Sequence, residues 1–189
     1  MLILASASPR RAQLLAQLGF SRDQDFKVEP VHIDETPLDA ELPKNYVVRV
    51  ASEKAITSLD KQNTDNTVIA ADTTVTIDDE ILGKPVDFDD FKHMMRKLSG
   101  REHQVLTAVS IANQLKRKDI LSVNQVRFAD LNEHDIEAYW HSGEPKDKAG
   151  GYGIQGLGAR FVVSIQGSYT GIVGLPLYET SILLQEFGV

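Results

Sequence analysis

Short apolar runs alternate along this chain with segments in which apolar residues recur every three or four positions. Runs of the first kind predict buried β-strands, and segments of the second kind predict amphipathic helices. The predicted strands cover residues 2–5, 26–31, 67–71, 73–77, 105–112, 120–128 and 161–165, and the predicted helices cover residues 10–18, 45–59, 88–98, 132–140 and 175–187. Alternating strands and helices without an internal repeat predict an α/β domain with a mixed sheet.

Two long segments interrupt this alternation and are expected to be loops. Residues 32–43 are polar and contain prolines, and residues 142–158 contain six glycines. Dense glycine allows a backbone to approach a ligand closely, and a functional role is a common reason for so long a loop. The alternative is a flexible loop tip, although Tyr152 and Ile154 are residues of the kind that is usually buried.

The composition is that of an ordinary globular protein, with 189 residues, of which 42% are hydrophobic and 25% are charged. The absence of cysteine excludes a disulfide scaffold and a cysteine-based zinc site. No apolar stretch approaches the roughly 18 residues of a membrane helix, and the apolar run at residues 2–5 is too short for a signal-peptide core. We therefore expect a cytoplasmic protein without a membrane partner.

The net charge of −7 makes the chain a poor general binder of nucleic acid, and no nucleic-acid partner is expected. Even so, several cations lie beside glycine, proline or small polar residues. They are Arg10, Arg11, Lys54, Lys84 and Lys148. Basic residues on loops of an acidic protein indicate a focused anion pocket. Taken one at a time, each is more often simply a solvated surface charge.

The segment Ser6-Ala7-Ser8-Pro9-Arg10-Arg11 joins the first predicted strand to the first predicted helix. Such a turn presents free backbone N–H groups at the positive end of the helix dipole, and guanidinium groups form forked contacts with phosphate. This equipment suits a polyphosphate tail, although the Walker A pattern is absent. The alternative is that Ser8 caps the helix and that both arginines are surface charges.

Two carboxylates are candidates for acid–base or metal chemistry. Asp72 follows the apolar run 67–71 and is expected at the C-terminal end of a buried strand, where open α/β sheets bind ligands. There it can accept a proton from attacking water or hold a metal ion, and the alternative is a capping aspartate. Glu35 lies in the first polar loop and is either solvated or, beside a triphosphate, a ligand for Mg²⁺ or Mn²⁺.

Two lysines are candidates for neutralising phosphate charge. Lys84 is flanked by Gly83 and Pro85, which restrict the local backbone and favour a fixed side chain. Lys54 lies near the end of the predicted helix 45–59, where it can alternatively complement the helix C-terminus. The five histidines show no metal-ligand spacing and are predicted to be structural or solvated.

Taken together, these segments resemble the Maf family. The matches follow the family order from residue 6 to residue 180, and the ordered set is far more specific than any single motif. They are residues 6–11, Arg49 with Ala51 and Lys54-Ala55, Ala71-Asp72-Thr73, Gly83-Lys84-Pro85, Leu98-Ser99-Gly100 with His103, Gly143-Glu144-Pro145 with Asp147-Lys148-Ala149-Gly150, residues 152–156, and Gly174-Leu175-Pro176-Leu177. One departure is Gly171, where the family commonly has asparagine.

The resemblance implies an elongated α/β fold, similar to the inosine triphosphate pyrophosphatases, in which residues 1–189 form one domain with two lobes around a central cleft. It implies hydrolysis of a nucleoside triphosphate between the α- and β-phosphates with a divalent cation, Mg²⁺, Mn²⁺ or Co²⁺. Ala71-Asp72-Thr73 and the Tyr-Gly-Ile-Gln-Gly of residues 152–156 are similar to the branch that acts on dTTP and UTP. The branch that acts on 7-methyl-GTP has Ser-Asp-Gln instead. A homodimer is a further expectation.

Carried onto this chain, the resemblance makes Asp72 the catalytic proton acceptor and, with Glu35, a metal ligand. The substrate-binding residues that it implies are Ser8, Arg10, Arg11, Lys54, Thr73, Lys84 and Gln155. Of these, Arg10, Thr73 and Gln155 are expected to set base preference. Two alternatives stay open, namely a non-enzymatic nucleotide-binding regulator of cell division or septum formation, and a phosphatase that releases orthophosphate one unit at a time.

Overall fold

The computed structural model describes residues 1–62 and 65–189, and within them one mixed β-sheet of seven strands forms the centre of the fold. The strands are β1 (Leu2–Leu4), β2 (Phe26–Val28), β3 (Thr67–Ile77), β4 (Glu80–Leu82), β5 (Glu102–Ala112), β6 (Arg117–Phe128) and β7 (Val162–Gln166). The flanking helices are α1 (Pro9–Gln17), α2 (Pro43–Leu59), α3 (Phe88–Leu98), α4 (Glu133–His141), α5 (Tyr169–Val173) and α6 (Leu177–Glu186). The predicted fold class, a mixed sheet with flanking helices, is confirmed.

The strand order β2-β1-β3-β5-β6-β7 leaves a gap along one edge of β3. β5 pairs with the other edge of β3 antiparallel, from Val68 to Thr76. On the gapped edge, β1 pairs in parallel with residues 67–69 and β4 pairs antiparallel with residues 75–77. Within the described part of the chain, residues 70–74 therefore have no strand neighbour on this edge. Asp72 lies at the middle of this gap.

Helices cover both faces of the sheet at β1, β3 and β5, whose residues are mostly buried on both sides. α2 packs on one face, where Ala55 contacts a buried cluster that includes Ile3, Val68 and Ala70. α1 and α6 pack on the opposite face, against Ile69 and its buried neighbours. α3 and α4 continue the second face towards β4. Each fully buried aliphatic side chain contributes about 1.5–3 kcal/mol to folding, so burial by helices on both faces stabilises this part of the sheet.

Two predictions about local structure are wrong. The predicted strands 67–71 and 73–77 are one strand, and Asp72 lies in its middle rather than at its end, because its backbone continues to pair with Ala108 of β5. The predicted closing helix 175–187 begins only at Leu177 and is preceded by α5. Gly174 separates the two helices because its φ of +126° does not fit a helix.

The remaining predictions differ from the structure mainly at element ends. The helix predicted at residues 88–98 coincides with α3, whose first turn is capped by Asp87 through the Asp90 N–H at 2.8 Å. The strand predicted at residues 26–31 ends at Val28. The glycine-rich loop contains three short 3₁₀ segments, Glu144–Asp147, Ala149–Gly151 and Leu157–Phe161. In residues 1–62 and 65–189, no helix has the length and apolar character needed to cross a membrane.

Candidate active site

A cavity of about 770 Å³ opens at the gap beside β3. Its lining combines the turn before α1, the first polar loop, α2, β3 and the glycine-rich loop. The lining includes all the residues predicted for the site: Ser8, Arg10, Arg11, Glu35, Lys54, Asp72, Thr73, Lys84 and Gln155. The structure thus brings together segments from both halves of the chain around one space.

Asp72 and Glu35 converge on the ammonium group of Lys54. The Lys54 Nζ lies 2.8 Å from Asp72 Oδ1 and 2.8 Å from Glu35 Oε1. Asp72 shares the α2 face of the sheet with Val68 and Ala70, because alternate residues of a strand point to the same side. Lys54 is buried and contacts these carboxylates, so the alternative that it complements the C-terminus of α2 is wrong.

Tyr46 is a cavity residue that the sequence interpretation missed. It is buried on α2, eight residues before Lys54, which places both side chains on the same side of the helix. Burial and, to a smaller extent, the nearby charges of Asp72 and Glu35 together raise the pKa of the Tyr46 phenol to about 12. The helical spacing of Tyr46, Val50 and Lys54 was the signal available in the sequence.

The loop that carries Glu35 is fixed by Arg49 of α2. The Arg49 guanidinium donates to both carboxylate oxygens of Glu41, at 2.7 and 2.8 Å, and to the carbonyl of Thr36 at 3.1 Å. The hydrogen bond to Glu41 raises the pKa of Arg49, so this contact stays ionic at any moderate pH. A forked arginine–carboxylate contact restricts geometry as well as adding energy. Arg49 therefore helps to keep the Glu35 loop beside Asp72.

Arg11 is held on the other face of the sheet by three hydrogen bonds. Its Nε donates to the Gly174 carbonyl at 2.9 Å, its Nη1 donates to Ser6 Oγ at 3.1 Å, and its Nη2 donates to Thr73 Oγ1 at 3.1 Å. Burial lowers the pKa of Arg11, and the charge of Asp72 opposes this effect. Three of the five N–H groups of the guanidinium are occupied, which leaves two for a ligand.

The hydroxyl of Thr73 belongs to a directed chain of hydrogen bonds. Thr107 Oγ1 donates to the Gly171 carbonyl at 2.7 Å, so its contact of 2.9 Å with Thr73 Oγ1 must be donated by Thr73. Thr73 also accepts from Arg11, which leaves its hydroxyl one further lone pair as an acceptor. The chain runs from Arg11 through Thr73 and Thr107 to the backbone of α5.

Gly171, the departure from the family pattern, lies at the end of this chain. A Cβ atom at this position would lie 2.8 Å from Ser122 Oγ and 3.0 Å from Asn124 Nδ2. Those distances are too short for ordinary contacts, so a larger residue would require Ser122 and Asn124 to move. Glycine here fits the close packing of α5 against β6.

The turn before α1 faces the cavity with its helix N-terminus open. The side chain of Ser8 forms no capping hydrogen bond with α1, so the capping alternative is wrong for this residue. The Ser8 N–H instead donates to Ser6 Oγ at 3.2 Å. Arg10 lies 3.8 Å from Asp147 of the glycine-rich loop, across the cavity. The free N–H groups of α1 and the two arginines therefore form one positive wall.

The glycine-rich loop is a packed wall of the cavity rather than a flexible tip. The Gly150 N–H donates to the Gly83 carbonyl at 2.9 Å, which ties the loop to the turn that carries Lys84. Lys148, one of the five cations from which the sequence predicted an anion pocket, lines the cavity and contacts Asp147 at 2.6 Å. Gln155 is exposed to the cavity, and within the described residues its side chain forms no hydrogen bond.

His103 supports the same loop from β5. Its Nε2 lies 2.7 Å from the hydroxyl of Tyr152, and both side chains are buried. Burial lowers the pKa of His103 to about 4, so the imidazole is neutral near pH 7. The prediction that the histidines are structural or solvated is confirmed for His103.

The donors around Lys54 fit a hard divalent cation. Glu35 and Asp72 supply carboxylate oxygens within reach of one point, and both line the cavity. Within residues 1–62 and 65–189, no three histidine, cysteine, aspartate or glutamate side chains form a metal-binding group. A cation at these two carboxylates therefore needs water and phosphate oxygens as its remaining ligands, which is the usual arrangement for Mg²⁺ beside a nucleotide.

Similar proteins were found by sequence and by structure. A relative named dTTP/UTP pyrophosphatase from Pseudoalteromonas translucida is 52% identical over 184 residues, covering 97% of this chain and 95% of the relative. A relative of the same name from Shewanella oneidensis is 52% identical and covers 100% of this chain and 98% of the relative. Among solved structures, the Staphylococcus aureus Ham1 protein is 15% identical, with a TM-score of 0.48, over 68% of this chain and 72% of that chain.

The family model described as Maf-like protein matches residues 1–187, which is nearly the whole chain. The ordered motifs from residue 6 to residue 180 lie within that match, and most of them contribute residues to the cavity lining. This chain therefore belongs to the Maf family.

Proposed function

We propose that this protein is a nucleoside triphosphate pyrophosphatase that hydrolyses dTTP and UTP to the nucleoside monophosphate and pyrophosphate. The observation that carries the proposal is the convergence of Asp72, Glu35 and Lys54 in a cavity whose other charged walls are mainly cationic. A negative protein that concentrates cations in one cavity is suited to a polyphosphate. The relatives that are about 50% identical over nearly their whole length are named for the same activity.

The phosphate tail is bound by the cations and the open N-terminus of α1. Arg11 is fixed by three hydrogen bonds and has two N–H groups left for phosphate oxygens. Arg10, Lys84 and Lys148 add charge around the same space. Catalysis of phosphoryl transfer is mainly positioning and charge stabilisation. Cations held in fixed positions are suited to both.

Asp72 acts as the proton acceptor in the hydrolytic step. Its carboxylate takes a proton from water as the water oxygen attacks the α-phosphorus. The bond between that phosphorus and the bridging oxygen breaks, and pyrophosphate leaves with the bonding electron pair. The proton then passes from Asp72 to solvent. Lys54, 2.8 Å from Asp72 Oδ1, holds this carboxylate in place.

A divalent cation, Mg²⁺, Mn²⁺ or Co²⁺, would be held by Glu35 and Asp72. When bound it supplies positive charge to the phosphate oxygens. Lys54 contacts both carboxylates, so it stabilises their close approach before any cation binds. Arg49, through Glu41 and Thr36, holds the Glu35 loop in position.

Base preference is assigned to Arg10, Thr73 and Gln155. Uracil and thymine present an N3–H donor beside the O4 acceptor, which the C=O and NH₂ groups of one Gln155 amide can pair with together. The remaining lone pair of Thr73 can only accept, so a contact there would direct the Gln155 NH₂ group towards Thr73. That orientation leaves the C=O free for N3–H.

Product analysis tests the proposal. The purified protein is incubated with dTTP or UTP and each of the three metals, and the products are separated. Equal amounts of monophosphate and pyrophosphate support the proposal. Orthophosphate with a diphosphate indicates the stepwise phosphatase, and binding without turnover indicates the non-enzymatic regulator.

Three wider proposals rest on the family resemblance. They are a single domain of two lobes over residues 1–189, a homodimer, and a cytoplasmic location. Light scattering that gives the mass of a monomer would remove the second. Cooperative unfolding in one transition would support the first.

A further inference from the structure

The segment that carries Gln155 is folded around a single carboxylate. Glu144 Oε2 accepts from the Leu157 N–H at 2.7 Å, and Glu144 Oε1 accepts from the Gly158 N–H at 3.2 Å. Glu144 Oε1 also accepts from the Tyr139 hydroxyl at 2.8 Å. The Tyr139 hydroxyl in turn accepts from the Gly153 N–H at 3.1 Å. Both ends of the segment 153–158 are therefore tied to the pair Glu144–Tyr139.

The glycines of this segment let it approach the pair closely. A Cβ atom at Gly156 would lie 2.2 Å from Glu144 Oε2, and a Cβ atom at Gly158 would lie 2.6 Å from the Tyr139 hydroxyl. Neither contact is sterically possible, so the two glycines are required by the approach itself. The shape of the segment and the position of Glu144 are thus mutually dependent.

Packing and a further hydrogen bond hold Tyr139 and Glu144 in place. Tyr139 is 1% exposed on α4, and its ring packs against Phe91 and Phe161. The Glu144 carbonyl accepts from Lys148 Nζ at 2.7 Å. Burial disfavours the ionised form of Glu144, but hydrogen bonds from Leu157, Tyr139 and Gly158 outweigh it, and its pKa lies below the usual value. The carboxylate is therefore ionised and acceptor-only near pH 7.

We propose that Glu144 and Tyr139 are positioning residues that set base selectivity, by holding residues 153–158 in the shape that presents Gln155 to the pyrimidine. This inference rests on the proposed function. Neither side chain is assigned a part in the hydrolytic step, and both act through the backbone of the segment. Their loss should change which base is accepted far more than how fast the bond to the α-phosphorus breaks.

The variant Glu144→Gln tests the pair with little change in volume. A glutamine has one acceptor oxygen where the carboxylate has two, so its NH₂ group must face an N–H group that previously donated to Glu144. We expect the ratio of kcat/KM for CTP to kcat/KM for UTP to rise about tenfold, while kcat for UTP falls less than about threefold. Tyr139→Phe, which removes only the bridging hydroxyl, should move the ratio in the same direction. Glu137→Gln, on the exposed side of α4, is the matched control and should leave the ratio unchanged.

The outcomes separate this inference from the function on which it rests. If Glu144→Gln and Tyr139→Phe fold as the unchanged protein does and the ratio stays within about twofold, the positioning role is overturned. A fall in kcat for both nucleotides at an unchanged ratio overturns it as well. If Glu144→Gln does not fold, Tyr139→Phe decides the question alone. If the unchanged protein releases no pyrophosphate, the proposed function fails, and the same ratio is then measured from the Kd values of UTP and CTP by calorimetry.

Discussion

The Nζ of Lys54 lies 2.8 Å from Oδ1 of Asp72, and the two side chains are only 11% and 10% exposed. Such a pair is sensitive to the loss of either member, because the remaining charge is left buried without compensation. In this chain Glu35 provides a second partner for Lys54, so the two members are not equivalent. Loss of Asp72 leaves one ion pair, whereas loss of Lys54 leaves two carboxylates beside each other.

Asp72→Asn should abolish most activity while the protein stays folded. The substitution keeps the shape of the side chain and Lys54 retains Glu35, but the amide does not accept a proton from water. We expect kcat for dTTP to fall by at least about a hundredfold, the usual scale for a general base. Pyrophosphate release measures the rate, and circular dichroism checks the fold. Near-native turnover in this variant would exclude Asp72 as the proton acceptor.

Lys54→Met should destabilise the fold by about 3 kcal/mol or more, since it leaves Asp72 and Glu35 without their shared cation. The double variant with Asp72→Asn removes one of the two carboxylate charges and should recover a large part of that loss. Urea unfolding of the single and double variants gives the coupling free energy. Additive effects would show that the contact contributes nothing to stability.

Thr107→Val should disturb substrate binding although Thr107 is fully buried. Valine has a similar shape but has no hydroxyl, so Thr73 loses its acceptor and its orientation towards Arg11 is no longer fixed. We expect KM for dTTP to rise about tenfold with a smaller change in kcat. Thr107→Ser keeps the hydroxyl and should restore KM. Equal effects of valine and serine would mean that packing alone matters at this position.

The free energy of unfolding should decrease as the pH is lowered from 6.5 to about 4, because of His103. Burial holds its folded-state pKa near 4, below the ordinary value of 6.5. The unfolded chain therefore takes up a proton first as the pH falls, so the contribution is complete above pH 6.5 and is lost towards pH 4. The loss reaches about 2 kcal/mol near pH 5.

Comparison of two histidine variants isolates this effect from the titration of carboxylates. His103→Gln removes the titrating group. The unfolding free energy of this variant should therefore decrease by about 2 kcal/mol less than that of the unchanged protein between about pH 7 and about pH 5. His134 is exposed on α4, and His134→Gln should leave the decrease unchanged. The same pH dependence in all three proteins would assign the effect to other groups.

Gln155→Glu should shift preference from UTP towards CTP. An ionised carboxylate accepts from the N4–H₂ of cytosine, but it repels the O4 of uracil. The selectivity change should be about ten- to a hundredfold. Competition among dTTP, UTP and CTP at equal concentration measures it. If Gln155 only satisfies loop backbone groups, the variant loses stability and the CTP-to-UTP ratio does not change.

The sequence by itself determined most of the helices and strands and the residue types of the site. Hydrophobic spacing is a local property, so it predicted α3 at its full length and most of β5 and β6. The ordered motifs indicated the family and the predicted site residues, all of which line the cavity. The roles of those residues stay predictions until the variants are measured.

Only the tertiary structure decided how these residues meet. Asp72 and Thr73 are adjacent in the chain, yet one contacts Lys54 on one face of the sheet and the other contacts Arg11 on the opposite face. The cavity reaches both because β1 and β4 leave residues 70–74 unpaired on one edge, within the part of the chain that the structure describes. Strand pairing and close packing depend on segments that are distant in sequence, as in the contact between Arg11 and Gly174. Local hydrophobic spacing therefore does not predict them.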